Sequence, residues 1–300
     1  MTTIPVILNP TAGGGRLLRL RPELDAVALR LDVELEFWFT THRGHGEQLA
    51  REAASQNRPL VLAWGGDGTY NEVARGLVGS TSALGVLPGG TTSVLAYEFE
   101  IPRPAPRALE ALLEGTDRAM RVGTSDHDDL VILMLSCGPD SVIVRDAIDR
   151  RTGNYRGKTG IALQAARELV SGRPLPRLRV RSGDRTVEGG WAIVGNSRSF
   201  AGPYRATPGA DPFVPTFEVV VHQGRSRAAV MGFALGIPLG RHVARRDVIR
   251  FACNRVTIEP VPDDARLPYQ VDGDPVRELP VTLEVDPRSL IVRLPHRPQR

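Results

Sequence analysis

Short apolar runs ending in glycine recur through the first third of the chain. Pro5-Val6-Ile7-Leu8 runs into Asn9-Pro10-Thr11-Ala12-Gly13-Gly14-Gly15, Leu60-Val61-Leu62-Ala63-Trp64 into Gly65-Gly66-Asp67-Gly68, and Ala83-Leu84-Gly85-Val86-Leu87 into Pro88-Gly89-Gly90. A fourth apolar stretch lies near Val33 to Phe39. After the loops the spacing becomes helical. In Thr69 to Val78 the apolar residues Tyr70, Val73, Ala74, Leu77 and Val78 share one helix face. From Leu17 to Leu31 they fall at Leu17, Leu20, Leu24, Val27, Ala28 and Leu31, and Pro22 predicts that this helix starts or kinks there. Pro106 to Glu114 predicts a helix opened by proline and closed by Gly115. Strands alternating with helices predict a parallel sheet covered on both faces, a doubly wound α/β arrangement.

The pattern shifts after about Gly123. Leu130 to Cys137 predicts a strand, and Asp140 to Arg150 and Ile161 to Val170 predict helices. Strands follow at Leu178–Arg181, Trp191–Val194, Phe217–Val221, Arg255–Glu259, Thr282–Val285 and Leu290–Leu294, with turns at Ser182-Gly183-Asp184 and Asp272-Gly273. One apolar helix is expected near Ala228 to Ile237, as a core helix rather than a membrane contact. The expected fold class is α/β: a doubly wound nucleotide-binding domain over residues 1–125, then a β-rich, sandwich-like domain over 126–295. The last strands of the second are free to pack back on the first. The tail from Pro295 is expected to fray.

Glycine lets backbone approach a phosphate closely, and the following helix N-terminus offers free N–H groups and a positive dipole end. One such loop is weak evidence; three at the C-terminal ends of parallel strands point to a phosphate ligand. Asp67 stands inside one of them. A carboxylate beside phosphates repels them unless a cation or proton lies between, so Asp67 is a candidate Mg²⁺ ligand or orienter of the reacting hydroxyl. Alone it would read as an Asx-turn or as the N-cap of the next helix. The loops do not fit GxxxxGK[ST] and do not match GxGxxG with an acid about 20 residues on, which excludes a P-loop NTPase and disfavours a Rossmann dehydrogenase.

Asn9-Pro10-Thr11-Ala12-Gly13-Gly14, Gly65-Gly66-Asp67-Gly68-Thr69-Tyr70-Asn71-Glu72-Val73 and Leu87-Pro88-Gly89-Gly90-Thr91-Thr92-Ser93-Val94-Leu95-Ala96 resemble the NPxxGG, GGDGTxNEV and PxGTxNxxA segments of the diacylglycerol kinase catalytic domain family. Gly138-Pro139-Asp140 is similar to its GFD segment, Gln270-Val271-Asp272-Gly273-Asp274 to its DGE motif, and Pro280 to Pro295 to its closing strands. The resemblance spans nearly the whole chain, and GGDGT is its most specific part. It implies an ATP- and Mg²⁺-dependent kinase acting on a lipid alcohol, with the lipid handled by the second domain. ATP would be bound by Asn9, Pro10, Gly13, Gly14, Thr40, Gly65, Gly66, Asp67, Gly68, Thr69, Asn71, Glu72, Gly90 and Thr91. Asp272 would be the general base that takes the proton from the lipid hydroxyl, with Asp67 the second catalytic acid. Read without the resemblance, Asp272-Gly273 is a type I′ hairpin corner, and both readings can hold together. Three departures stand out. Ser93 replaces an asparagine and Asp274 a glutamate, and Val214-Pro215 follow Ala210-Asp211-Pro212-Phe213 where the family carries Asp-Gly, which puts the ancillary metal site near Asp211 in question.

Composition adds less. Nothing approaches the roughly 20 apolar residues of a bilayer span, and the first residues carry no basic stretch before the apolar run, so a cytoplasmic protein peripheral to the membrane is expected. The net charge of +4 rests on arginine, Lys158 being the only lysine, and gives slight support to an anionic partner such as a phospholipid surface. No arginine run is interleaved with aromatics, which argues against nucleic acid. Cys137 and Cys253 read as free buried thiols, and none of the six histidines has metal-ligand spacing. A homodimer is left open. Two further readings compete with the lipid kinase: a soluble-metabolite kinase of NAD kinase type, which also carries a GGDG loop, and a nucleotide-binding protein that has lost the chemistry.

Overall fold

The structure, a computed structural model, describes residues 2–90, 92–147, 175–263 and 265–296. The expected helix at 161–170, the end of the one at 140–150, Thr91, Lys158 and most of the expected frayed tail lie outside the described residues. The chain divides into two compact units. One comprises residues 1–121, 201–203 and 287–300; the other comprises 122–200 and 204–286.

The first unit opens with β1 (Thr2–Leu8), α1 (Leu17–Arg30), β2 (Val33–Phe39), α2 (His45–Ser55), β3 (Leu60–Gly65), α3 (Asp67–Leu77) and β4 (Ala83–Pro88). Two short helices, α4 (Val94–Glu98) and α5 (Ala105–Leu113), lead into β5 (Thr116–Ser125), which runs on into the second unit. The sheet order is β2-β1-β3-β4, every pair parallel. The chain steps outward from β1 to β2 and then returns past β1 to β3. Right-handed crossovers therefore put α1 on one face and α2 and α3 on the other. Residues Leu60 to Gly65 are all buried, as a central parallel strand requires. The α1 helix begins at Leu17 and passes through Pro22 without ending, so Pro22 does not start it. Burial of Leu17, Leu24, Val27 and Ala28 on one stripe outweighs the missing proline N–H.

The second unit holds β6 (Leu130–Val131), β7 (Met134–Cys137), α6 (Pro139–Ala147), β8 (Leu178–Ser182), β9 (Arg185–Gly189), β10 (Trp191–Gly195), β11 (Ser199–Phe200), β12 (Tyr204–Arg205) and β13 (Phe217–His222). It continues with α7 (Arg227–Gly236), β14 (Val248–Cys253), β15 (Arg255–Pro260), β16 (Pro268–Val271), β17 (Asp274–Glu278) and the first half of β18 (Val281–Leu294). An antiparallel sheet in the order β14-β13-β10-β7-β16-β17 faces strands β18, β15, β8 and β9. Val194, Val219, Val221, Tyr269 and Val271 meet Val180, Val256, Ile258 and Leu283 in the sandwich core. The intervening Trp191, Ile193 and Val220 point the other way, onto Val230, Phe233 and Ile237 of α7 and its cap. With both faces covered, β10 and β13 are buried throughout and lose the polar alternation of a one-sided strand. Among the described residues no helix is long and apolar enough to cross a membrane.

Two strand expectations are corrected. Thr282–Val285 and Leu290–Leu294 are one continuous strand, β18, whose second half belongs to the first unit and pairs parallel to β4 through Val292 and Leu84. Asp286 to Ser289, left between the two expected strands, continue the strand: Asp286 accepts a hydrogen bond from the Thr124 hydroxyl, and the Ser289 carbonyl accepts one from Gly79 N at 2.9 Å. The expected strand 130–137 is broken at Ile132 and Leu133, whose amides are taken by a side chain described below.

Phe233 is fully buried, edge-on to Trp191 at 5.2 Å and His242 at 5.6 Å and stacked on His222 at 4.8 Å. Phe233→Ala leaves a cavity on that face, and we expect it to cost about 3–5 kcal/mol in urea unfolding followed by tryptophan fluorescence.

Candidate functional site

In an open parallel sheet, ligands bind beyond the carboxyl ends of the strands where consecutive connections diverge. Here that point lies between β1 and β3, and the loops after β1, β3 and β4 meet there within the first unit. The approach is close enough to exclude side chains. A Cβ on Gly13 would sit 2.7 Å from the Gly89 carbonyl oxygen, and one on Gly90 would sit 2.7 Å from Gly66 Cα. Gly13, Gly14 and Gly15 all have left-handed backbone, at φ 60°, 71° and 78°, a run that side-chain-bearing residues resist.

Side chains bolt the loops together. The Asn9 carboxamide oxygen accepts from Thr11 N at 3.0 Å and from its hydroxyl at 2.8 Å, fixing the turn out of β1. Tyr70 is buried in α3, and its hydroxyl donates to Gly65 O at 2.6 Å, with Leu87 O at 3.1 Å and Ser93 Oγ at 3.3 Å. Burial pushes the Tyr70 hydroxyl well above its ordinary value, so it stays a donor. Thr69 packs its side chain onto Gly65. Gly68, the third glycine of GGDG, is exposed in the first turn of α3. Pro10 and Gly14 lie in the first loop; Thr40 follows β2, with its N–H on Leu8 O at 2.9 Å.

The acids of the GGDGTYNE segment point to backbone amides. The helix after Gly66 has no side-chain cap, and Asp67, its first residue, does not cap it. Asp67 Oδ1 accepts from Val94 N at 2.6 Å, at the start of α4. Burial raises the Asp67 carboxyl above the usual carboxylate range, and amide hydrogen bonds from Val94, Leu95 and Ser93 draw it partly back. Glu72 grips the N-terminus of α2: Oε1 accepts from Gly44 N at 2.8 Å and Oε2 from Gly46 N at 3.0 Å. Asn71 shares α3 with both, partly buried.

Asp272 belongs to the second unit. It sits at the β16–β17 corner with φ 54°, followed by Gly273 at φ 92°, the two left-handed residues of a type I′ turn. Its carboxylate spans the break between β6 and β7. Oδ2 accepts from Ile132 N at 3.0 Å, and Oδ1 accepts from Leu133 N and Met134 N, each at 2.8 Å. Two neighbours that sequence reasoning left without a role complete the corner. Gln270 Oε1 accepts from Gly273 N at 2.7 Å, and Gln270 Nε2 donates to Asp140 Oδ2 at 3.3 Å. Burial pushes the Asp140 carboxyl up to about 6, partly offset by hydrogen bonds from Ser136 and Gln270. Both lie inside segments that resemble family motifs, Gly138-Pro139-Asp140 and Gln270 to Asp274, and nothing local in the sequence says that the two side chains meet.

The three departures have structural counterparts. Ser93 is buried with φ 48°, and its hydroxyl reaches Gly90 O at 3.4 Å as well as Tyr70. Asp211 closes its own turn, accepting from Phe213 N at 3.0 Å. Nearby, Glu218 accepts from Gly209 N at 2.6 Å and pairs with Arg250. Asp274 opens β17 opposite Val271. Among the described residues no three His, Cys, Asp or Glu side chains are grouped to hold a metal ion.

Residues 3–125 match the sequence profile of the diacylglycerol kinase catalytic domain, and residues 134–294 match that of the YegS C-terminal NAD kinase beta sandwich-like domain. A diacylglycerol kinase of Mycobacterium tuberculosis (strain H37Rv) is 25% identical over 299 residues, covering 97% of this chain and 95% of that protein. One from Staphylococcus aureus (strain MRSA252) is 24% identical over 280 residues, covering 92% and 87%. A crystal structure of a diacylglycerol kinase from Bacillus anthracis superposes with a TM-score of 0.70 at 16% identity, over 98% of this chain and 96% of that one.

Two outcomes follow from the geometry. Glu72→Ala strands two amides at the start of α2 and should lower stability by about 1–2 kcal/mol in urea unfolding, with Glu72→Gln, which keeps one acceptor, losing less. Asp140 titrates near 6 when folded and near its ordinary 3.8 when unfolded. Its native carboxyl is thus the weaker acid, and stability is lost as pH rises between those values. Asp140→Asn removes that loss. Between about pH 3 and pH 7, the stability difference should move in the variant's favour by on the order of 3 kcal/mol.

Proposed function

The chain belongs to the diacylglycerol kinase catalytic domain family, and from that premise we propose that it transfers the γ-phosphate of ATP to the hydroxyl of a lipid alcohol, diacylglycerol or a related lipid. The observation that carries the reading is the glycine floor at the switch point of the first unit. Gly13 and Gly90 lie so close to Gly89 and Gly66 that a Cβ on either would clash, and Gly14 and Gly68 have open space where a Cβ would stand. Such a surface suits polyphosphate, because backbone N–H groups and the α3 N-terminus can reach it without interference. Mg²⁺ at phosphate sites takes one or two carboxylates, its other ligands being phosphate and water, and Asp67 is the carboxylate set into this floor. When bound, the cation would neutralise charge developing on the transferred group. Asn9, Tyr70 and Glu72 act on the loops, holding the floor in shape.

Asp272 is the proposed base for the acceptor hydroxyl. Three backbone amides fix its carboxylate, and a base held in one orientation loses little in aligning with a nucleophile. Phosphoryl transfer asks mainly for such positioning.

The test is transfer of labelled γ-phosphate from ATP/Mg²⁺ to a panel of lipid alcohols in mixed micelles. Wild type should label a lipid. Asp272→Asn should lose about 10²–10⁴ of the rate while ATP still raises its melting temperature, because the glycine floor is intact. Label appearing in NAD or a sugar phosphate and in no lipid would replace the lipid reading, and a fully active Asp272→Asn would remove the base.

A further inference from the structure

The inner face of α7 is fastened to the sheet, and its outer end carries leucine into solvent. Val230, Phe233, Gly236 and Ile237 are buried. The helix closes in a tight turn, with Arg241 N on Gly236 O at 2.8 Å, Gly240 N on Ile237 O at 3.0 Å, and Gly240 left-handed at φ 64°. On the outer side Leu235 and Leu239 are 58% and 68% exposed, one helical turn apart, and Pro238 between them is exposed too. Arginines flank the helix and its closing turn along the chain. Arg225 lies before the helix, and Arg241 and Arg246 lie after the turn, all exposed. The guanidinium of Arg245 is engaged by Asp247 at 2.7 and 2.8 Å. No acidic residue occurs from Arg225 to Arg246.

A lone exposed leucine is ordinary. Here two leucines and a proline form one tip on a base held rigid by Phe233, with Arg241 and Arg246 following it and Arg225 at the other end of the helix. Folding gains nothing from holding that surface in water. An apolar tip on a helix flanked by arginines and free of acidic residues matches the boundary between acyl chains and anionic headgroups. A second copy of the chain fits less well, since a two-fold contact would set arginine against arginine. We propose that the α7 tip is a membrane-docking surface. Leu235, Pro238 and Leu239 enter the headgroup boundary, and Arg225, Arg241 and Arg246 meet anionic lipid. The proposal rests on the reading that the acceptor is a lipid, and it names the surface that brings the enzyme to it.

The test uses the full chain, a Leu235→Ser/Leu239→Ser variant and an Arg225→Gln/Arg241→Gln/Arg246→Gln variant. Each is sedimented with phosphatidylcholine vesicles containing about one-third phosphatidylglycerol, and with phosphatidylcholine alone. Wild type should bind the anionic vesicles, and both variants should bind at least about tenfold more weakly. Urea stability should stay unchanged, and transfer to a short-chain, water-soluble diacylglycerol should stay within about twofold of wild type, since the tip touches no group assigned to the chemistry. Variants that bind vesicles as wild type does, while short-chain transfer proceeds, would overturn the docking surface and leave the kinase reading intact. Tip-dependent vesicle binding without transfer to any lipid would support the surface and remove the kinase reading. A wild-type dimer in analytical ultracentrifugation, lost in the leucine variant, would assign the tip to a second copy instead.

Discussion

The first unit turns on one steric constraint: backbone touching backbone beyond the ends of β1, β3 and β4. Gly13 lies against the Gly89 carbonyl, and Gly90 against Gly66. Methyl groups at those points would force the loops apart. The contact exists only because the sheet order places β1 beside β3 and β3 beside β4. Tyr70 sits beneath it, and its hydroxyl draws on carbonyls from two strands. Glycine alone would give a mobile surface, whereas glycine over a buried hydroxyl gives a shaped one. A surface shaped in advance loses little on closing around phosphate.

Carboxylates fix the remaining geometry, and each does so on amides far away in sequence. Asp67 reaches Val94, Glu72 reaches Gly44 and Gly46, and Asp272 reaches Ile132 to Met134. An ionised carboxylate offers about four acceptor sites and holds amides more strongly than a neutral group does. The same property suits a base or a cation ligand, so a residue can shape a loop and serve the chemistry there. Glu72, in the same run as Asp67, has both carboxylate oxygens on amides at the start of α2, so a signature acid can carry loop geometry whatever else it does.

Much of the first unit was legible because its signals are local. An apolar run followed by glycine, then a 3.6-residue period, marks strand, loop and helix without knowledge of partners. The α/β unit, its parallel strands and the β-rich unit all follow from such patterns. What stayed hidden depends on distant partners. Leu130 to Leu135 is apolar throughout, and only the Asp272 carboxylate explains the break at Ile132 and Leu133. Asp286-Pro287-Arg288-Ser289 separates two apolar runs, and only Thr124 and Gly79 show that the strand continues through it. Pro22 reads as a boundary until the buried stripe of α1 carries the helix across it. The α7 segment reads as uniformly apolar, and only the sheet beneath it decides which residues are covered.

Ser93 shows how a departure from a family pattern is absorbed. Left-handed backbone suits asparagine better than serine, and holding serine there costs about 1 kcal/mol or more. A serine at a helix N-cap normally bonds its own helix. This one does not: its hydroxyl lies near Tyr70 and Gly90, leaving the first amides of α4 for another acceptor. Asp67 takes that place through Val94. The cap of the third loop is thus supplied by the acid of the second, and Tyr70 joins both from below. The two loops cannot shift independently without breaking a bond to a part-buried carboxylate. Serine at 93 leaves the floor a single body, because Asp67 supplies the acceptor that the serine's own side chain does not.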